Sequence, residues 1–328
     1  MRAIVIKRPG GPEVLTLEEA ADPQAGKGEV KVRVKAAGVN RADSLQRMGH
    51  YPSPPDSPPD IPGLEFAGVI EELGPGVDHL QVGDKVFGIA GGGTYADFVI
   101  AHSRCVARMP VNLSFVEAAA VPEVFITAYD AMVSQCVLAS GETVLIHAVG
   151  SGVGVAALQL GKLFGARVIG TARSEDKIQR ARSCGLDHGL IIRDGKFAEQ
   201  VKSITNGAGA DIIVELVGGH YINEDVHCVA TKGRIIVVGL VAGLHCDVDF
   251  GQVLRKRVTI KGTTLRMRPL EEKILATRML ENHIVPLIEK GLLKPMIDKV
   301  LPLAQASEAH EFMDKNKNFG KIVLELSK

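Results

Sequence analysis

The chain has 328 residues, 46% apolar and 23% charged, enough for a substantial core and too ordinary in composition for wholesale disorder. Lys plus Arg equals Asp plus Glu at 38 each, and the charges spread evenly, so no basic field exists to hold nucleic acid or an anionic membrane. The longest apolar run, residues 235–244, is far short of a membrane span. The apolar stretch at 3–6 meets Lys7, Arg8 and Pro9 too soon for a secretory signal core. Five scattered cysteines, Cys105, Cys136, Cys184, Cys228 and Cys246, form no CxxC pair. They suit reduced thiols, and the expected location is cytoplasmic.

Residues 1–124 read as short strands joined by Gly/Pro turns. The strand runs are 3–6, 29–36, 66–73, 85–88 and 96–100, separated by turns at 9–12, 74–76 and 91–93. Residues 51–62 hold six prolines in twelve, so they form a stiff surface loop, either a plain connector or the wall of a site. From about 125 the rhythm changes to strand–helix alternation. Strands are expected at 143–147, 167–171, 189–192, 211–216, 234–238 and 258–261. Helices are expected at 153–164, 175–184, 197–206 and 221–229. Near-continuous apolar strands of this kind make a parallel sheet covered on both faces. A helix at 270–290 follows, then strands at 296–303 and 321–326 around a helix at 306–315. This tail resembles the first segment. The expected organisation is a β-rich domain over 1–124, completed by 265–328, with an inserted doubly wound α/β domain over 125–264.

His147, Ala148, Val149, Gly150, Ser151, Gly152, Val153 and Gly154 lie between the first α/β strand and its helix. A dinucleotide fold needs glycines there, because the turn is tight and the backbone must approach a pyrophosphate at the helix N-terminus. The spacing is Gly150-x-Gly152-x-Gly154 rather than GxGxxG. At the end of the second strand no acid precedes Glu175, whereas Arg173, Ser174 and Lys177, joined by Arg193, suit a 2′-phosphate. These residues favour NADPH over NADH.

Several motifs together carry a family resemblance: GGPEVL at 10–15, GVNRADSLQRMGHYPSPP at 38–55, GLEFAGVI at 63–70, VGDKVFGIAGGGTYADFV at 82–99, AAAVPEVFITAYDAM at 118–132, SGVGVAALQL at 151–160 and NKNFGKIVLEL at 316–326. The sequence resembles the zinc-free quinone oxidoreductases of the medium-chain dehydrogenase/reductase superfamily, most closely their p53-inducible branch. The resemblance implies a GroES-like β domain plus a Rossmann domain, and a homodimer paired through the last Rossmann strand. Zinc-dependent relatives carry Cys where this chain has Asn40 and His where it has Leu64. Their structural-zinc cysteines are missing, so no metal is expected. His245, Cys246 and Asp247, and the pair His220 and His227, are read as solvated or core residues.

The resemblance further implies that Tyr51 faces the nicotinamide and substrate, with Asn40 nearby. Arg41 and Asp43 are read as a structural ion pair. Thr127 lines the nicotinamide pocket, Gly239, Leu240 and Leu265 lie under nicotinamide and ribose, and Asn318 closes the site from the C-terminal end. Two departures stand out: Ser151 replaces a turn glycine, and Ile192 replaces a tyrosine that many members set against the adenosine phosphate. The activity expected is NADPH-dependent hydride transfer to a small quinone. Alternatives are an alkenal or enone reductase and a non-catalytic NADPH-binding protein like the crystallin relatives. RNA binding, seen among some relatives, is disfavoured by the zero net charge and the lack of aromatic–basic interleaving.

Overall fold

The computed structural model describes residues 1–326. The chain divides into two compact units, Met1–Ile126 together with Leu265–Lys328, and Thr127–Thr264.

The first unit opens with a hairpin of β1 (Arg2–Ile6) and β2 (Leu15–Glu19). The long β3 (Glu29–Val39) leads into the short helix α1 (Arg41–Arg47), then β4 (Glu65–Leu73), β5 (Lys85–Ile89), β6 (Phe98–His102) and β7 (Val106–Arg108). Burial in β3 alternates from Val30 to Ala36, so one face feeds the core, and its last four residues are all buried. Helices α2 (Phe115–Ala118) and α3 (Pro122–Tyr129) follow. Pro122 starts α3, where its missing N–H costs nothing.

In the second unit the strands are β8 (Thr143–Ile146), β9 (Arg167–Ala172), β10 (His188–Ile191), β11 (Ala210–Glu215), β12 (Val229–Val237) and β13 (Thr259–Gly262). The helices are α4 (Gly152–Leu163), α5 (Glu175–Ser183), α6 (Ala198–Ile204), α7 (Tyr221–Cys228) and α8 (Phe250–Lys256). The sheet order is β10-β9-β8-β11-β12-β13, and every pairing is parallel. The order reverses between β8 and β11, the switch point at which a doubly wound fold takes its ligand.

The chain then returns to the first unit. Helix α9 (Leu270–Met279) runs through a π-helical segment, Leu280–Ile284, into α10 (Val285–Glu289). The sequence pattern predicts one helix over 270–290; Pro286, which cannot donate inside a helix, stands just after the altered segment. Strand β14 (Ile297–Pro302), helix α11 (Ala306–Asp314) and strand β15 (Lys321–Glu325) complete the chain. The seven-stranded sheet runs β14-β15-β3-β4-β5-β7, with β6 also on β3. The last strand thus lies beside β3, in the interior of the first unit's sheet.

Each unit has its own core. Phe66, Tyr95, Val32, Ile70, Ile322 and Leu324 centre the first. Ile213, Ile235, Val201, Phe197 and Leu145 centre the second. No described helix is long and apolar enough to cross a membrane.

Gly154 shows how tightly α4 packs on its strand. A Cβ there would lie 2.4 Å from the Ala148 carbonyl oxygen and 2.8 Å from the Val149 Cα. Both are backbone atoms and cannot swing away. Gly154→Ala should therefore destabilise the second unit by about 1–3 kcal/mol. Chemical denaturation followed by far-UV circular dichroism checks it; an unchanged midpoint would mean the turn relaxes freely.

Candidate functional site

In the first unit, Lys321 on β15, Glu65 on β4 and Asn40 just after β3 come together in a dry place. Lys321 is 4% exposed and Glu65 fully buried. The Lys321 ammonium donates to Glu65 Oε1 at 2.5 Å, Asn40 Oδ1 at 2.7 Å and the Val39 carbonyl at 2.8 Å. Its three N–H bonds are matched by three acceptors. Asn40 Nδ2 donates to the same Glu65 oxygen at 2.9 Å, and the Glu123 N–H donates to Glu65 Oε2 at 2.9 Å. The packing requires Gly38, since a Cβ there would stand 2.3 Å from Glu65 Oε1 and 2.6 Å from the Ala119 carbonyl. Burial and the neighbouring Glu65 push the half-buried Glu123 carboxyl up to about 8.

A second layer fixes α1. Asp43 is buried and accepts from Asn40 N–H at 2.8 Å, the Tyr95 hydroxyl at 3.0 Å and Gly63 N–H at 3.2 Å. Burial still raises it to about 6. Tyr95 also lies 3.4 Å from His310, whose other ring nitrogen is 3.2 Å from Arg47. Burial and the Arg47 charge hold His310 down to about 3, so it is neutral. Arg47 closes the chain on Asp314 at 2.8 Å. Arg41 pairs with Asp314 at 3.2 Å, so the expected Arg41–Asp43 ion pair does not form. Asp43 is taken up in capping α1, and Asp314, the last residue of α11, takes both arginines.

Tyr51 is half-buried at the start of the proline-rich loop, and the Arg266 guanidinium lies 5.4 Å from its ring centroid. Leu265 and Asn318 are buried in the same unit, Asn318 donating to the Gly320 carbonyl at 2.9 Å. Asn40, Tyr51, Leu265 and Asn318 thus belong to the first unit.

The other expected contacts lie in the second. Ala148 sits in the glycine turn before α4 at φ 45°, a strained value for a non-glycine residue. Ser151 is the N-cap of α4, its hydroxyl accepting from Gly154 N–H at 3.1 Å. That explains a serine where relatives have glycine: the hydroxyl satisfies one of the helix's open donors. Gly150, Gly152 and Val153 complete the turn, leaving the start of α4 able to face an anion. Arg173, Ser174 and Arg193 are exposed and Lys177 half-buried around the start of α5 and the end of β10. Thr127 is half-buried in α3. Gly239 and Leu240 follow β12, with Leu240 40% exposed. Ile192 is buried in the core rather than offered to a ligand. His245, Cys246 and Asp247 are exposed.

Sequence reading missed one cluster. His147, Glu215 and Asp225, all fully buried, bring one donor atom each to within 4.8 Å of one another. His147 Nε2 lies 2.8 Å from Asp225 Oδ1, and Nδ1 lies 2.9 Å from the Thr171 hydroxyl. Glu215 Oε1 accepts from the N–H groups of Val217 and Gly218. Glu215 Oε2 and Asp225 Oδ2 find no hydrogen-bond partner among the described residues. Burial raises both carboxyls; for Asp225 the contact with Glu215 works the other way and the nearby Glu224 charge adds to the rise. Two adjacent carboxylates in a dry site cannot both stay charged, so a proton held there is the favoured state. His147, buried among Phe197 and Tyr221, stays neutral. Only the fold reveals this cluster, because its members come from the residue after β8, from β11 and from α7, far apart in sequence.

Residues 26–111 match the family described as alcohol dehydrogenase GroES-like domain, and residues 152–281 that described as zinc-binding dehydrogenase. The chain is 31% identical over 329 residues to the quinone oxidoreductase of Rattus norvegicus, covering 99% of this chain and 97% of that protein. It is similar to the crystal structure of Escherichia coli quinone oxidoreductase complexed with NADPH, 28% identical with a TM-score of 0.90, over 99% of this chain and 100% of that one. It is also similar to the structure of an NAD-dependent alcohol dehydrogenase, 35% identical with a TM-score of 0.87, over the whole of both chains.

The zinc in that family description does not fit here. Leu64 offers no donor, and the Asn40 oxygen and both Glu65 oxygens are already taken by Lys321, Asn40 Nδ2 and the Glu123 N–H. A catalytic zinc needs three converging protein ligands and an open position.

Two measurements test this description. Lys321→Met leaves Glu65 charged and buried without its cation, and should cost about 3–5 kcal/mol in unfolding free energy. A loss below ~1 kcal/mol would mean water or a proton readily replaces the ammonium. In the second unit, the folded pKa values of Glu215 and Asp225 are raised above their unfolded values. Their stabilising contribution is therefore complete at acid pH and is lost as pH rises from the ordinary carboxylate range through neutrality. Lowering of the His147 pKa works in the opposite direction, losing stability as pH falls. The difference in stability between wild type and Asp225→Asn across pH 4–9 isolates the acid pair. The wild type should lose ground to the variant as pH rises, and a flat difference would refute the shared proton.

Proposed function

The chain belongs to the medium-chain dehydrogenase/reductase superfamily and is an oxidoreductase of it, and from that premise we propose that it reduces quinones with NADPH and without zinc. The observation that supports this most is the closed Asn40–Glu65–Lys321 cluster. With the donors of that cluster engaged, the acceptor beside it must be electrophilic on its own, as a quinone is. The full-length similarity to quinone oxidoreductases points the same way.

NADPH, when bound, supplies the hydride. Gly150, Ser151, Gly152, Val153 and Gly154 let the backbone and the α4 N-terminus meet its pyrophosphate. Arg173, Ser174, Lys177 and Arg193 hold its 2′-phosphate. Thr127, Gly239 and Leu240 line its nicotinamide and ribose. Tyr51 keeps a flat acceptor in place through its ring and donates to an oxygen gaining charge. Asn40, itself fixed by Lys321, supports that end of the site. The molecule acts in the cytoplasm, and a homodimer closes the outer edge of β13, where Ile260 is 39% exposed and the neighbouring α8 exposes Phe250 and Leu254. A monomeric mass by light scattering at micromolar concentration would refute the dimer.

One observation favours the enone alternative: Glu123 keeps a proton near neutral pH, and reducing an enone ends with protonation of an enolate. NADPH oxidation against a panel of quinones and enones separates the readings. Tyr51→Phe should cost quinone reduction less than about tenfold in kcat/KM, and Tyr51→Ala more, because the stacking surface goes too. If enones are the substrates, Glu123→Gln should lower their turnover by about 10²-fold or more and leave quinones nearly untouched. Activity with neither class sinks both readings.

Cofactor choice is tested separately. Lys177→Ala should weaken NADPH binding by about 10- to 100-fold and barely alter NADH binding. Equal losses for both cofactors would make Lys177 structural and leave the choice open to NADH, the cofactor class named for one structural neighbour.

A further inference from the structure

Arg266 is the first residue after Leu265, where the chain re-enters the first unit, and its side chain is 4% exposed. Nothing in the sequence marked it. Its Nε donates to the Gly91 carbonyl at 2.7 Å, and Nη1 donates to the Tyr51 carbonyl at 3.2 Å. Nη2 donates to Gln46 Oε1 at 2.7 Å and to the Ser53 hydroxyl at 2.8 Å. Four of its five N–H bonds are thereby placed, on four different residues. The guanidinium also lies 5.4 Å from the Tyr51 ring centroid, within cation–π range. Gln46 in turn donates to the Ser53 hydroxyl at 2.9 Å and the Pro59 carbonyl at 3.1 Å.

We propose that Arg266 is a positioning residue that fixes the Tyr51 ring and the start of the proline-rich loop for a flat acceptor. The inference rests on the reading of Tyr51 as a site residue. Arginine is needed because the bonds diverge within one plane. A lysine ammonium is a compact point charge that reaches at most a subset of the four acceptors and offers no flat face to the ring. Tyr51 is held at both its main chain and its ring, so the loop's first turn and the phenol face move together.

The test uses the full-length chain and its Arg266→Lys and Arg266→Met variants. With benzoquinone as acceptor, kcat/KM should fall by about 10- to 100-fold, while the NADPH dissociation constant, read from cofactor fluorescence, stays within about threefold. Amide hydrogen exchange at Tyr51, Ser53, Asp56 and Ser57 should quicken, with the strands of the first unit unchanged. In a Tyr51→Ala background, Arg266→Lys should add less than about twofold to the loss, because Arg266 acts through that ring. Full additivity overturns the proposal, as does unchanged exchange in the loop. An equal fall in NADPH affinity also overturns it, since Arg266 would then support the fold at large. If Arg266→Met does not fold, Ser53→Ala and Gln46→Ala carry the same comparison, each expected to quicken loop exchange and to lower kcat/KM about three- to tenfold. If the wild type reduces neither quinones nor enones, the proposed function fails, and the exchange measurement still decides whether Arg266 holds the loop.

Discussion

The first unit depends on one ion pair, Lys321 with Glu65, made where no water can help it. A buried carboxylate without a partner costs several kcal/mol, so Glu65 on β4 is tolerable only because β15 brings a cation beside it. That is a constraint on topology. The cation comes from the far end of the chain, and the last strand must lie against β3 for its ammonium to reach across to β4. The discontinuity of this unit is therefore required by its chemistry. The pair also sets what the site can do. Each Glu65 oxygen and the Asn40 side-chain oxygen is already bound, which leaves these two residues positioning and hydrogen bonding.

The two units solve the same problem of buried acid differently. In the first, Glu65 has Lys321, Asp314 has Arg41 and Arg47, and Asp43 has three donors, although Glu123 beside them is raised to about 8. In the second, Glu215 and Asp225 face each other with a neutral histidine, and a proton replaces the missing cation. A cation pair is insensitive to pH near neutrality, whereas a proton is not. His147 and Glu215 lie at or just beyond the C-terminal ends of β8 and β11, at the reversal of strand order, and Glu215 also holds the N–H groups of Val217 and Gly218. The loop after β11 is thus tied to the group whose charge is least secure.

The parallel sheet was legible because its strands are continuous apolar runs and its helices have a clear period. Its six strands and four of its five helices lie within a few residues of where the pattern puts them, although β12 begins five residues earlier than expected. The fifth, α8, was missed because it buries none of its residues and so carries no amphipathic signal. In the first unit β2 and β7 were overlooked, being short and charged at one end, and α1 was hidden inside a motif quoted for chemistry. The glycine turn before α4 could be read locally, since strand, glycines and helix are adjacent in sequence. The Lys321–Glu65 pair, the His147 cluster and the Arg266 hub could not, because each joins residues tens to hundreds of positions apart. The Arg41–Asp43 pairing failed for a related reason: nearness in sequence suggested it, but Asp43 turns inward to cap α1 and Arg41 outward to α11.

The proline-rich loop shows why the residues around it are donors. Proline has no N–H, so a segment with six prolines in twelve residues presents mostly carbonyls and hydroxyls. Whatever ties it down must donate. The contacts obey that rule at both ends. Arg266 donates to the Tyr51 carbonyl and the Ser53 hydroxyl, and Gln46 to Ser53 and Pro59. The N–H groups of Ile6, Gly93 and Tyr95 reach the carbonyls of Asp60, Ile61 and Pro62. Arginine, with five donors and no acceptor, is the side chain best matched to such a partner. Stiffness does the rest. Each proline has its φ already set, so little entropy remains to be lost between the two anchors. A glycine- or serine-rich loop would need bonds along its whole length to hold Tyr51 as still. Two groups of donors suffice here because the sequence between them has few other conformations to adopt.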